Sequence, residues 1–211
     1  AVTQTTAAVG LQPNDIDAYW LGTSQSGASG MMAAGPLKLE GKPVSRVENY
    51  CATGSEALRN AAYAVASGAY DTALAVGVEK VKDGGYQGLN AFPYPTDGTQ
   101  RTLTAAAMFS LVAPAYARRY GIEEDDLRRV LATIASKNHY NGARNPLAQF
   151  RKEMDVDAIC AMPAVAGRLS VFDCAGVADG SAAAMIVRAE DAHKYCDNPL
   201  YIKALSLVAG N

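Results

Sequence analysis

The sequence contains no apolar run close to the roughly 18 residues that a helix needs to cross a bilayer. It opens with AVTQTTAAVGL, which lacks the charged and apolar regions of a secretory signal. Its formal net charge is −2 over 211 residues, too small to draw nucleic acid or an anionic membrane to the protein. We therefore expect neither a membrane nor a nucleic acid as a partner.

Cysteine and histidine are both scarce, with four and two residues respectively. The spacings of the cysteines fit no zinc pattern, and they are too few for a disulfide scaffold. His193 and Cys196 form one H-x-x-C pair, which supplies only two of the four ligands that zinc requires. We expect no metal site, and free thiols suggest a reducing, cytoplasmic setting.

Strand-like and helix-like segments alternate along the chain, which favours an α/β layered fold. Apolar or branched runs predict strands at 16–22, 45–50, 72–79 and 182–188, and helices are predicted over 2–10, 54–67, 101–120, 123–137 and 155–162. Residues 82–100 and 138–150 are predicted to be loops. Both ends of the sequence look like interrupted elements, so we expect a part of a longer protein.

Cys51 stands between the second predicted strand and the helix that follows it. Thr53 and Glu56 fit a capping box, which predicts Thr53 as the N-cap. The stripe Leu58, Ala61, Ala62, Val65 predicts that this helix packs on the sheet. The N-terminal end of a helix dipole stabilises a thiolate, and free N–H groups there stabilise an oxyanion. The position suits a cysteine nucleophile.

A buried structural cysteine is the alternative, because cysteine is among the most buried residue types. The small neighbours Ala52, Gly54 and Ser55 favour the nucleophile, since they leave room for a substrate.

Positive charge is concentrated in residues 118–152, which hold eight basic and four acidic residues. The region carries +4 and the remainder therefore −6. A solvated surface explains such a region, but arginine also grips phosphates well, so Arg128 and Arg129 are candidate ligands of a phosphate-bearing substrate. His139 and Asn138 are candidate substrate-lining residues in the predicted loop.

Three ordered motifs resemble the thiolase superfamily: ENYCATGSEALRNAAYAVASGAYDTALAVGVEK around Cys51, SKNHYNGARNPLAQF at 136–150, and DCAGVADGSAAAMIV at 173–187. The second and third are similar to segments of the sterol-carrier-protein type of thiolase. The resemblance implies a thiolase fold, αβαβα layered, made of two similar halves. Residues 1–92 would be the first part of the N-terminal half, 93–168 an inserted helical loop domain, and 169–211 the return to the core sheet. The C-terminal half, with two histidines and a second cysteine of the family's site, is absent from this sequence.

The resemblance implies an acyltransferase that cleaves or forms a carbon–carbon bond of a β-ketoacyl-CoA, in lipid metabolism, through a thioester on Cys51. Coenzyme A would be a substrate held by the loop domain, and no cofactor would be permanently bound. A homodimer or homotetramer is expected, and members of this subgroup often work with a small OB-fold partner. Two alternatives stay open: a thiolase-like retro-aldolase on an acyl-CoA, and a non-catalytic subunit that binds acyl-CoA or a partner protein.

Overall fold

A computed structural model describes residues 1–83 and 104–209 of the chain. The chain divides into two compact units, called here the first unit (Ala1–Gly84 with Asp179–Asn211) and the second unit (Gly85–Ala178). The second unit has wider bounds than the insertion predicted at 93–168. Residue 93 itself, and most of the loop predicted at 82–100, lie outside the described residues.

The first unit is built on a four-stranded sheet. Its strands are β1 (Ala18–Gly22), β2 (Val44–Val47), β3 (Thr72–Glu79) and β6 (Gly180–Val187), while β4 (Ala164–Ala166) and β5 (Leu169–Ser170) belong to the second unit. The strand order is β2-β1-β3-β6. β1 is parallel to both β2 and β3, whereas β6 is antiparallel to β3. The helices of this unit are α1 (Val2–Ala8), α2 (Met31–Leu37) and α3 (Thr53–Ala66).

Both faces of this sheet are covered. Successive residues of β3 point to opposite sides of the sheet, so that this strand contributes to a hydrophobic cluster on each face. Ala73 and Ala75 pack with α3 in one cluster, while Leu74 and Val76 pack in a second cluster that includes Val2 of α1. The predicted stripe on α3 is confirmed: Ala61, Ala62 and Val65 are buried and Leu58 is partly buried against the same cluster. A strand buried on both faces needs an unbroken apolar run, as TALAVGVE provides.

The second unit is mainly helical. Its helices are α4 (Ala105–Phe109), α5 (Val112–Tyr120), α6 (Glu124–Arg144) and α7 (Val156–Cys160), and its two short strands β4 and β5 pair with each other. Its core forms where Ala132 and Ala135 of α6 pack against Ile159 of α7. Among the described residues of the whole chain, no helix has the length and apolarity that a bilayer crossing demands.

The prediction of a loop at 138–150 is wrong over its first half, because α6 continues to Arg144. A returning segment packs along these last turns: Ser136 Oγ donates to the Met154 carbonyl at 2.7 Å, and His139 Nδ1 lies 3.2 Å from the Lys152 carbonyl. At Gly142 a Cβ would lie 2.7 Å from the Phe150 carbonyl oxygen, so the glycine admits this close approach. Tertiary contacts therefore override a local sequence that disfavours helix.

Candidate active site

Cys51 lies in a single 3-10 turn, Tyr50–Ala52, that follows β2 and leads directly into α3. β2, β1 and β3 run parallel, so this turn follows the carboxyl-terminal edge of the sheet, where α/β proteins commonly bind ligands. Cys51 is an exposed residue. The alternative of a buried structural cysteine does not fit this position.

The start of α3 comes very close to the end of β1. A Cβ at Gly22 would lie 3.0 Å from the Thr53 carbonyl oxygen, 3.1 Å from its Cγ2 and 3.3 Å from Ala57 Cβ. A side chain at this distance would force its neighbours to shift by a few tenths of an ångström, so Gly22 lets the first turn of α3 rest on the strand without strain. That contact holds the segment after Cys51 against the sheet.

The predicted capping box is wrong. The N-cap of α3 is Ala52, and Thr53 already has helical angles of φ −55° and ψ −43°. The Thr53 hydroxyl instead accepts from the Asn49 N–H at 2.8 Å and donates to the Tyr50 carbonyl at 2.6 Å. The 3-10 turn before the helix causes the difference, since it extends the helical path by one turn and makes Thr53 the first helical residue.

Glu56, the other residue of the predicted box, turns along the helix surface. Its carboxylate accepts from Arg59 Nε at 2.9 Å and from Asn60 Nδ2 at 2.8 Å. These hydrogen bonds, with Arg59 first, lower the pKa of Glu56. The acid therefore stays ionised in the first turn of α3, where a negative charge is favourable.

Cys51 therefore lies closer to the helix than the sequence predicted, at the position immediately before the N-cap. Two N–H groups that follow it are engaged: Ala52 N–H donates to the Asn49 carbonyl and Thr53 N–H to the Tyr50 carbonyl. These two groups are committed to the turn. That the start of α3 stabilises a Cys51 thiolate, and an oxyanion beside it, stays a prediction.

Glu79, at the end of β3, is a polar residue of this edge that was not predicted from the sequence. Its carboxylate accepts from the Ser24 N–H, from Ser26 Oγ at 2.7 Å and from Thr23 Oγ1 at 3.2 Å. Burial alone would raise the pKa of Glu79, but the hydrogen bonds, led by Ser24, outweigh it and lower the pKa. The ionised carboxylate thus holds the loop that follows β1. The sequence signal that could have identified Glu79 is a single acidic residue at the end of a buried apolar strand.

Arg128 was predicted to contact substrate, but its guanidinium is engaged inside the second unit. It contacts Asp173 Oδ2 at 2.7 Å, the Ile159 carbonyl at 2.7 Å and Ser170 Oγ at 3.1 Å. Only 12% of the Arg128 side chain and 5% of the Asp173 side chain are exposed. These contacts make Arg128 a structural residue of the second unit, so a phosphate ligand would have to displace a buried ion pair.

Arg129, the next residue on α6, is different. Its side chain is 64% exposed and pairs with Asp157 at 2.9 Å, which is itself 82% exposed. An exposed pair of this kind is weak and exchanges readily with a competing anion. The Arg129 guanidinium is therefore accessible from solvent, and its contact with coenzyme A stays a prediction.

His139 lines a groove of about 340 Å³ within the second unit, together with Gln149, Phe150, Arg151, Lys152, Met154 and Phe172. The His139 ring lies 5.3 Å from the Phe172 ring, in an edge-on arrangement, and 6.3 Å from the Phe150 ring. A lining that combines apolar side chains with two basic residues suits a ligand that has an apolar part and an anionic part. Asn138 is exposed on the same helix but does not line the groove.

The remaining cysteines differ from one another in exposure. Cys196 is exposed like Cys51, whereas Cys160 and Cys174 are partly buried. Burial, and then the charge of Asp173, raise the pKa of Cys174. Within the described ranges, 1–83 and 104–209, no group of three or more histidine, cysteine or acidic residues is placed to hold a metal ion. Cys51 belongs to the first unit and the four predicted binding residues to the second.

Comparisons with known proteins agree on one family. Residues 1–190 match the family described as "Thiolase, N-terminal domain". The chain is 32% identical to the acetyl-CoA acetyltransferase of Methanothermobacter thermautotrophicus over 95% of its own length and 54% of that protein. It is 30% identical to sterol carrier protein 2 of Oryctolagus cuniculus over 82% of its own length and 32% of that protein. The chain thus spans about half the length of the archaeal relative it matches.

A solved structure, named Ltp2-ChsH2(DUF35) aldolase, superposes with a TM-score of 0.69. The superposition covers 94% of this chain and 51% of that one at 22% identity. At that identity the likeness concerns the fold alone. It agrees with the sheet and helices described above.

Proposed function

The chain belongs to the thiolase family through its N-terminal domain, and on that premise we propose that it carries the nucleophile of an acyl-CoA acyltransferase. Cys51 is the nucleophile, and the substrate is a β-ketoacyl-CoA. The observation that carries the proposal is the exposed cysteine, Cys51, one residue before the N-cap of α3, at the carboxyl edge of parallel strands. An acetyl-CoA acetyltransferase relative supports the same class of reaction.

In the cleaving direction the Cys51 thiolate attacks the β-keto carbonyl carbon. The bond between the α- and β-carbons breaks, the acyl part stays on sulfur as a thioester, and the carbanion of the shorter acyl-CoA takes a proton. Free coenzyme A then accepts the acyl group and releases Cys51. The reverse sequence forms the carbon–carbon bond. The histidines and the second cysteine that the family uses would belong to a C-terminal half outside these 211 residues.

The second unit would hold coenzyme A. Its groove is lined by the apolar side chains of Phe150 and Phe172 and by the basic residues Arg151 and Lys152. Arg129, exposed in a weak ion pair, adds a further positive charge for phosphates. Residues 118–152 carry a formal net charge of +4, and the rest of the chain carries −6. The positive charge therefore lies in the part of the chain where an anionic substrate would bind.

The test uses the full-length protein and a panel of acyl-CoA thioesters, with the intact mass as the readout. We expect an acyl adduct on the wild-type protein and on Cys51→Ser no thioester adduct. Cys196→Ser is the matched control, because Cys196 is also an exposed cysteine, and it should acylate as the wild type does. An adduct that persists in Cys51→Ser would contradict the proposed role.

A thiolase-like retro-aldolase is the second candidate, because a structure that shares this fold is named as an aldolase. That reaction does not require the cysteine. Cleavage of an acyl-CoA by Cys51→Ser at the wild-type rate would therefore indicate the aldolase.

The name of that neighbour also includes a DUF35 component, which supports a small protein partner here too. If the native protein shows neither turnover nor an adduct, the remaining candidate is a non-catalytic subunit that binds acyl-CoA or a partner protein. A homodimer or homotetramer and a cytoplasmic setting are parts of the same proposal.

A further inference from the structure

The residue directly before Cys51 has an uncommon backbone conformation. Tyr50 has φ +46°, in the left-handed region. Of the residues that the structure describes, Lys38 is the other non-glycine residue with positive φ, and it is the C-cap of α2, where that conformation is ordinary. Tyr50 is at no helix C-terminus. A bulky residue is sterically disfavoured there, so something has to hold it.

Side-chain hydrogen bonds hold both sides of Tyr50. Its N–H donates to Glu48 Oε1 at 2.6 Å, and its carbonyl accepts from the Thr53 hydroxyl at 2.6 Å. Rotation of Tyr50 into the extended region would turn the peptide group that joins it to Cys51 and break the Thr53 contact. The left-handed conformation therefore fixes the direction in which the chain presents Cys51.

Glu48 is oriented in turn by the loop that follows β1. Ser24 Oγ donates to Glu48 Oε1 at 3.2 Å. Ser24 is itself fixed at its backbone: its N–H donates to the Glu79 carboxylate, and its carbonyl accepts from Arg46 at 3.2 Å. A chain of contacts thus runs from the end of β3 through Ser24 and Glu48 to Tyr50.

We propose that Glu48 is a positioning residue for the nucleophile: its carboxylate keeps Tyr50 left-handed, and Tyr50 sets the placement of the Cys51 sulfur. This inference rests on the proposed function, because placement matters only if Cys51 attacks a bound acyl group. Glu48 does not touch the substrate. Its removal lowers the rate of the acylation step and leaves acyl-CoA binding intact.

The first experiment compares Glu48→Ala, Glu48→Gln and the control Glu40→Ala in the full-length protein. Glu40 is an exposed glutamate of the same unit whose position lies outside this chain of contacts. We expect Glu48→Ala to acylate Cys51 roughly tenfold more slowly with an unchanged KM, since a hydrogen bond to a charged acceptor is lost. Glu48→Gln keeps an acceptor oxygen and should recover most of the rate. Glu40→Ala should match the wild type.

The second experiment alters the conformational preference at Tyr50 directly. Asparagine populates the left-handed region far more readily than other residues with a side chain, whereas a β-branched residue avoids it. Tyr50→Asn should therefore acylate at the wild-type rate. Adding Glu48→Ala to Tyr50→Asn should lower the acylation rate by clearly less than tenfold. Tyr50→Val should reproduce the loss even with Glu48 in place. Equal losses from Glu48→Ala in both backgrounds would overturn the inference, because the two residues would then act independently.

Iodoacetamide labelling separates this inference from the proposed function. In the wild type, Cys51 should react faster than Cys196, which is also exposed, and Glu48→Ala should slow Cys51 alone. If the wild type forms no acyl adduct, the proposed function fails, and the labelling rate of Cys51 still decides whether Glu48 controls the placement of the Cys51 sulfur. If the wild type acylates and Glu48→Ala acylates as fast as Glu40→Ala, the proposed function stands and the positioning role is refuted.

Discussion

Two adjacent arginines of α6 should respond very differently to the same substitution. Arg128→Met removes one member of a buried ion pair in which the side chains are 12% and 5% exposed. Asp173 would keep the Ser170 contacts but lose its counter-charge, and its Oδ1 already lacks a hydrogen-bond partner among the described residues. Breaking such a pair from one side costs about 3–5 kcal/mol of unfolding free energy. Arg129→Met breaks an exposed pair and should cost about 0–1 kcal/mol.

Hydrogen exchange of the α6 amides is the suitable assay, because it reports the stability of one unit within a larger protein. A loss of about 3 kcal/mol corresponds to exchange that is at least about 100-fold faster. The double variant Arg128→Met with Asp173→Asn should regain part of that loss, since no unpaired charge stays buried. Coenzyme A binding should weaken in Arg129→Met, together with its salt dependence. Equal protection of α6 in Arg128→Met and Arg129→Met would refute the reasoning.

Two further predictions concern the edge of the sheet near Cys51. Because the folded pKa of Glu79 lies below its ordinary 4.5, its stabilisation is present above pH 4.5 and is lost as the pH falls through the folded value. Glu79→Gln should therefore lower the free energy of unfolding, measured in urea, by about 1 kcal/mol at pH 7, a value reduced for the partial exposure of Glu79. At acid pH the two proteins should be equally stable. A difference that does not depend on pH would count against this prediction. Gly22→Ala should cost about 1–3 kcal/mol, because its Cβ would lie 3.0 Å from the Thr53 carbonyl. Gly54→Ala, with open space around its Cβ, is the control, and an equal cost for both would disprove the close-contact argument.

Much of the first unit could be predicted from the sequence because its signals are local and strong. The run 72–79 is apolar throughout most of its length, and it forms β3 over the same residues. The stripe on α3 identified the buried face of that helix. The position of Cys51 between a strand and a helix also follows from these patterns. Its exposure at that helix start is a structural finding.

The environment of the predicted binding residues could not be predicted in this way. Arg128 and Arg129 are adjacent residues of the same type, yet Arg128 is buried against Asp173 and Arg129 is exposed. The difference depends on which face of α6 meets the segment around residues 159–173, a contact between residues 31 to 45 positions apart. No local pattern around either arginine carries that information.

The sequence by itself determined the α/β alternation, the buried strand β3, and the cysteine before α3. These depend on periodicities within about 15 residues, which act before distant segments meet. Only the tertiary structure decided that α6 extends through Asn138 and His139, that Ala52 replaces Thr53 as the N-cap, and that Tyr50 is left-handed. Each of these overrides a local preference, because hydrogen bonds and packing from segments that close only on folding outweigh the small propensities of single residues.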